Sequence, residues 1–164
     1  MVFQTLNTYV DYIDKADFQK IADIYNSNRK FLEVHMGKDS VEVQWVKSEI
    51  EEMKGMGFKS CKIVSKDKNE IIGFLDFKVK ETGYLSLLMI HSDFRCRGLG
   101  YEVYNGLEVY MKEKASESIR IDVVIGYSEN VTKFWSNQGF KIVDEINLNW
   151  GEKELPAVVM KKAI

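Results

Sequence analysis

The segment from Tyr84 to Gly100 constrains this chain more than any other. Its first part, Tyr84-Leu85-Ser86-Leu87-Leu88-Met89-Ile90, is almost unbroken in apolar character, as expected of a central strand covered on both faces. Its last part, Arg95-Cys96-Arg97-Gly98-Leu99-Gly100, opens a stretch in which Leu99, Val103, Leu107, Tyr110 and Met111 recur at helical spacing to about Glu113. A strand thus feeds a glycine-rich turn and then a helix. The first N–H groups of such a helix have no intrahelical acceptor, and the helix dipole places partial positive charge beside them. Gly98 and Gly100 let a diphosphate reach the backbone without meeting a Cβ, while Arg95 and Arg97 add favourable charge. Residues 95–101, Tyr101 included, therefore read as a pyrophosphate cradle. A Rossmann fingerprint would need glycine or alanine where Val103 stands, and the P-loop signature is absent, so nicotinamide and ATP rank below CoA.

The surrounding periods predict an α/β fold. Phe18, Ile21, Ile24 and Tyr25 give a first helix after Asp17 that ends near Asn26-Ser27-Asn28. Val43, Val46, Ile50 and Met53 give a second, stopped by Gly55 and Gly57. Residues 61–65 and 71–79 form a hairpin across Lys66-Asp67-Lys68-Asn69, with Ile71, Gly73, Leu75, Phe77 and Val79 on one face. Residues 119–125 follow the long helix as a strand, and a right-handed crossover makes it a parallel neighbour of 84–90. A short helix over 131–138 closes at Gly139, and 141–147 and 157–161 supply the last strands. The first strand falls within 3–6 or 9–13.

One domain over residues 1–164 is expected, since 45 % of the residues are hydrophobic and a single proline leaves no linker. A net charge of −2 provides no nucleic-acid footprint. Cys61, Cys96, His35 and His91 lack the spacing of a metal cluster or a disulfide framework, which points to no metal and to a reducing cytoplasm. No apolar run approaches the ~18–20 residues that span a bilayer.

On these residues the chain resembles the GNAT superfamily of N-acetyltransferases. Arg95, Gly98 and Gly100 fill the fixed positions of its acetyl-CoA motif, [QR]-x-x-G-x-[GA] after a central strand. Phe134-Trp135-Ser136-Asn137-Gln138-Gly139-Phe140 is similar to its later motif, an aromatic pair followed by Gly-Phe. The likeness runs from about Glu70 to Lys161, and the first 60 residues agree in element order only. The resemblance implies a mixed, largely antiparallel sheet with helices on both faces and a splayed parallel central strand pair, between which pantetheine inserts. It implies that main-chain groups of Leu88, Met89 and Ile90 hold the acetyl-pantetheine arm. One of these N–H groups, assigned to Leu88, would polarise the thioester as an amine attacks it directly. Phe134, Trp135 and Ser128 would complete the acetyl-CoA site, together with Cys96, Arg97 and Leu99 of the cradle.

Two positions depart from the family pattern. Trp135 stands where a tyrosine is usual, and an indole N–H cannot act as a general acid near neutral pH. Ser128 stands where an asparagine is usual. Protonation of the leaving thiolate then falls to water, Ser128, Tyr127 or Tyr101. Asp76, which interrupts an apolar strand, is the first candidate base for the incoming ammonium. Residues 26–39 are expected to line the acceptor pocket as a loop carrying Arg29, Phe31, Glu33 and His35. The expected activity is acetyl transfer to a primary amine of a small molecule or peptide, by a monomer or homodimer. A non-catalytic acyl-CoA-binding module of the same fold is the alternative.

Overall fold

The computed structural model describes residues 1–164. In chain order the elements are β1 (Phe3–Gln4), β2 (Thr8–Tyr12), α1 (Phe18–Ser27), α2 (Arg29–Met36), α3 (Val43–Gly55), β3 (Lys59–Ser65), β4 (Glu70–Lys78) and β5 (Thr82–Ile90). There follow α4 (Leu99–Glu113), β6 (Ser118–Val124), α5 (Glu129–Asn137), β7 (Lys141–Trp150) and β8 (Lys153–Ala163). One eight-stranded sheet has the order β1-β2-β3-β4-β5-β6-β8-β7, and only the β5–β6 pair is parallel.

Both faces of the sheet are covered, which is why β4 and β5 are apolar on both sides. On one face Val103, Tyr104, Leu107 and Met111 of α4 pack with Trp135 of α5 against Leu75, Phe77, Leu85, Ile119 and Ile121. On the other, Ile21, Ile24, Tyr25, Leu32 and Val46 of α1–α3 pack on Phe74 and Met89. Gly73 is required where β4 crosses β5, because a Cβ there would lie 2.5 Å from the Met89 carbonyl oxygen.

The feature that prepares a site is the end of the parallel pairing. Registers join Thr82 to Ser118, Gly83 to Ile119 and Tyr84 to Arg120, and then stop, although β5 continues to Ile90 and β6 to Val124. In the β4–β5 ladder Asp76 faces Leu87 and Phe77 faces Leu85, so Ser86 is an extra residue on β5. Such a bulge bends its strand and increases its twist, which carries the C-terminal half of β5 away from β6.

The structure departs from the expectations in several places, and the last strand, expected from Ala157, already begins at Lys153. Both candidate first strands form, and they pair antiparallel with Phe3 opposite Val10. The central strand begins at Thr82, two residues earlier than its apolar run. A register shift at Ile63/Val64 moves Ile72, not Ile71, onto the face of Leu75 and Phe77. Residues 29–36 form the helix α2 instead of a loop, closed by Gly37 in the left-handed region at φ 64°.

Candidate active site

The divergence of β5 and β6 leaves a cleft of about 410 Å³, walled by residues 85–90 and 121–124, with α2 on one side and Val131 and Trp135 on the other. Side chains alternate along β5, and so do its main-chain groups. The Met89 carbonyl lies against Gly73 of β4, whereas the Ile90 carbonyl turns the other way and accepts from Asn28 Nδ2 at 3.2 Å. Leu88, two residues before Ile90, has the same orientation. Leu88 and Ile90 thus offer their main-chain polar groups to the cleft, and Met89, expected to do the same, offers its backbone to β4.

At the end of the cleft, Gly98 adopts φ 74° and caps α4 without a side-chain bond. Cys96 is also left-handed, at φ 59°. The chain therefore turns so tightly that none of the amides of residues 96–101 finds an acceptor within the protein; the first bond of the helix is donated by Glu102 to the Gly98 carbonyl. A Cβ on Gly98 would have nothing within 4 Å, and one on Gly100 would meet only Phe134 Cζ, at 4.0 Å. Free amides, open glycines and the N-terminus of a fifteen-residue helix make an anion site. Phe134 lies beside it. Arg97 lies over the Phe94 ring and donates to the Asp93 carbonyl at 2.9 Å. Arg95 donates to Asn28 Oδ1, tying the cradle to the junction of α1 and α2. Cys96 and Tyr101 are exposed, and each contributes a free backbone amide to the anion site.

The helix α2 sorts the residues predicted for the acceptor pocket. Phe31 and His35, four residues apart, face the cleft and stack at 3.9 Å; Trp150 meets both rings edge-on, and Tyr127 meets His35 at 5.4 Å. Arg29 and Glu33, also four apart, lie on the solvent face and pair with each other at 2.9 Å, so they do not line the pocket as expected. Lys153 holds the end of the helix by donating to the carbonyls of Glu33 and Val34, at 3.2 Å each. Burial lowers the His35 pKa, and Phe31 O lies 2.9 Å from its Nδ1. Ser128, at the start of α5, lines the cleft and makes no capping bond. Trp135 is only 9 % exposed, edge-on to Tyr104, Phe134 and Phe140, and reaches the cleft wall.

A second cleft, of about 910 Å³, shares Ser86, Asp122, Leu148 and Trp150 with the first and opens towards α3. Its walls carry Trp45, Met53, Glu49 and Glu52. Burial and the like charge of Glu52 raise the Glu49 carboxyl above its usual range. Asp122 is locked, receiving both Arg120 nitrogens at 2.8 and 3.0 Å and the Tyr84 hydroxyl at 2.9 Å. Asp76, predicted as the base, lines neither cleft: it is 4 % exposed beneath α1 and α3, takes the Ser60 hydroxyl and is pushed up to about 7 by burial. An apolar strand interrupted by an acid is equally the mark of a carboxyl sealed in the core. Sequence reasoning missed Asn28, Glu49 and Trp150; the spacing of Phe31, Leu32, His35 and Met36 before Gly37 was the available signal for α2.

Comparison with known proteins agrees with this geometry. The model of the acetyltransferase (GNAT) family matches residues 19–140. A GNAT-family acetyltransferase from Bacillus anthracis superposes with a TM-score of 0.78 at 12 % identity, covering 98 % of this chain and 97 % of its own. An acetyltransferase from Thermus thermophilus gives 0.74 at 20 % identity, with 94 % and 97 % covered. The Salmonella typhimurium protein yncA, whose structure was solved with its cofactor acetyl-CoA, gives 0.65 at 16 %, with 96 % and 94 % covered. No curated protein matches the chain. No helix is long and apolar enough to cross a membrane. With the family model spanning most of its length and the overall fold shared with these structures, the chain belongs to the GNAT acetyltransferase family.

Proposed function

We propose that the protein transfers the acetyl group of acetyl-CoA directly to a primary amine of a small molecule or peptide. The observation that carries this reading is the row of unpaired amides at residues 96–101, which directly follows Arg95 of the β5–β6 cleft lining. The cradle suits the diphosphate of CoA, and the cleft beside it suits the pantetheine arm, whose amides can pair with the main chain of Leu88 and Ile90. The N–H of Leu88 is then the donor for the thioester oxygen, where negative charge develops as the amine adds. Gly98, Leu99, Gly100, Phe134, Trp135 and Ser128 surround the same ligand. The amine enters from the second cleft, which meets the first at Ser86.

We assign the base to Glu49. It lines the amine side, and its raised pKa brings a carboxylate closer to the neutral range in which it can take a proton from an ammonium. Glu49→Gln should lower kcat/KM for the amine about ten- to hundredfold and remove the acidic limb of its pH profile, with acetyl-CoA affinity unchanged. Unchanged kcat/KM and pH profile would remove Glu49 from the reaction. The function itself is tested by free-thiol release from acetyl-CoA across a panel of primary amines. Binding of acetyl-CoA with no amine-dependent release would favour a non-catalytic acyl-CoA module.

A further inference from the structure

We propose that Tyr127 is the acid that protonates the departing thiolate. The proposal rests on the acetyl-transfer reading above. In that reaction the amine nitrogen forms a bond to the acyl carbon, the carbon–sulfur bond breaks, and its electron pair stays on sulfur. Sulfur takes the phenolic proton, and the phenolate regains one from water as the amine's surplus proton reaches solvent. Thiols have pKa values near ~8.5, so an acid in the phenol range is a competent partner.

The other polar side chains in the cleft are unsuited to the task. Asn28 has no acidic proton, and its amide is spent on Ile24, Ser27, Ile90 and Arg95. His35 is held neutral by burial, with one ring nitrogen engaged by the Phe31 carbonyl. Asp122 is fixed by Arg120 and Tyr84. An indole such as Trp135 and an aliphatic hydroxyl such as Ser128 are far weaker acids than a phenol. Lys30 is exposed at the rim, and Tyr101 is 53 % exposed on α4 outside the cleft lining.

Tyr127 differs from each of these. It lies where β6 gives way to α5, half-buried in the cleft wall, and the edge of the His35 ring fixes its plane. No buried side-chain oxygen in the protein lacks a partner, and the Tyr127 hydroxyl has none within the chain, so this oxygen is accessible on a residue that lines the cleft. Burial raises its pKa, which keeps the proton on the phenol at neutral pH. The α2 helix that covers the cleft thus also orients the acid, through Phe31 and His35.

Tyr127→Phe keeps the ring that packs on His35. Expected are a fall in kcat of about a hundredfold or more, acetyl-CoA affinity by calorimetry within about twofold of wild type, and loss of the alkaline limb of the pH–rate profile. Replacement of Tyr127 by 3-fluorotyrosine, whose phenol is more acidic, should move that limb to lower pH while leaving the packing intact. A kcat within a few-fold of wild type, or a limb that does not move with the fluorinated residue, overturns Tyr127 and leaves acetyl transfer standing. Absence of thiol release by the wild type overturns both.

Discussion

Gly100→Glu is expected to reduce acetyl-CoA affinity about a thousandfold while leaving the fold intact. Gly100 is not in the left-handed region, and its missing Cβ points into open space, with Phe134 Cζ at 4.0 Å the nearest atom. Glutamate is a good helix former, and a negative side chain in the first turn of α4 interacts favourably with the helix dipole. The free protein should therefore unfold at the same temperature or slightly higher. In the complex the new carboxylate meets a diphosphate. Two like charges ~4 Å apart at an effective dielectric of ~20 repel by ~4 kcal/mol, which is about three orders of magnitude in affinity. Calorimetry and thermal unfolding on one sample separate the two effects. Gly98 is a poorer position for the test, because any side chain at φ 74° strains the turn in the free protein. Native affinity in folded Gly100→Glu would place the diphosphate elsewhere.

Asp76→Asn is expected to remove the pH dependence of one large stability contribution, so that the order of stability of variant and wild type reverses between pH 4 and pH 8. The Asp76 carboxyl has a pKa of about 7 in the fold against 3.8 in the unfolded chain, because burial disfavours its charge; the Ser60 hydrogen bond offsets part of that. Below the unfolded value it is protonated in both states and contributes no penalty. As pH rises from ~4 to ~7 the unfolded chain ionises while the folded one does not, so stability falls, and above ~7 the loss is complete at ~4 kcal/mol. Asparagine never ionises, but its buried N–H costs ~1–3 kcal/mol if it finds no acceptor. The variant should then be less stable than wild type at pH 4 and more stable at pH 8, by ~1–3 kcal/mol. For a domain of this size that is roughly 2–4 °C in Tm per kcal/mol. Thermal unfolding at the two pH values checks the crossing. A variant less stable at both would show that the folded Asp76 pKa is not raised by burial.

The parts of the site that were legible in the sequence are those made by local rules. A strand buried on both faces must be apolar throughout, and a turn that leaves amides free needs glycine, so residues 84–100 declared both at once. The parts that were not legible depend on what lies opposite. The bulge at Ser86 is a property of the β4–β5 register, and nothing in the order of residues around Ser86 marks it. The polar run Asn26-Ser27-Asn28 read as the end of a helix, and it is; what followed was a second helix whose apolar face is only Phe31, Leu32, His35 and Met36. Once α2 is a helix, its period decides that Phe31 and His35 enter the cleft and Arg29 and Glu33 do not. Asn28, read as punctuation, turned out to bind the strand end at Ile90 and the cradle at Arg95 together. Glu49 was hidden by the opposite effect: the stripe of Val46, Ile50 and Met53 beside it explained the helix without it.

The cradle at residues 96–101 carries the whole functional reading, and it is tested most directly by calorimetry of the wild-type protein with acetyl-CoA and with acetyl-pantetheine, which lacks the diphosphate and nucleotide. Several charge-assisted bonds to free amides, each worth ~1.5–3 kcal/mol, predict that acetyl-CoA binds at least about a hundredfold more tightly. Equal affinities for the two would contradict the account.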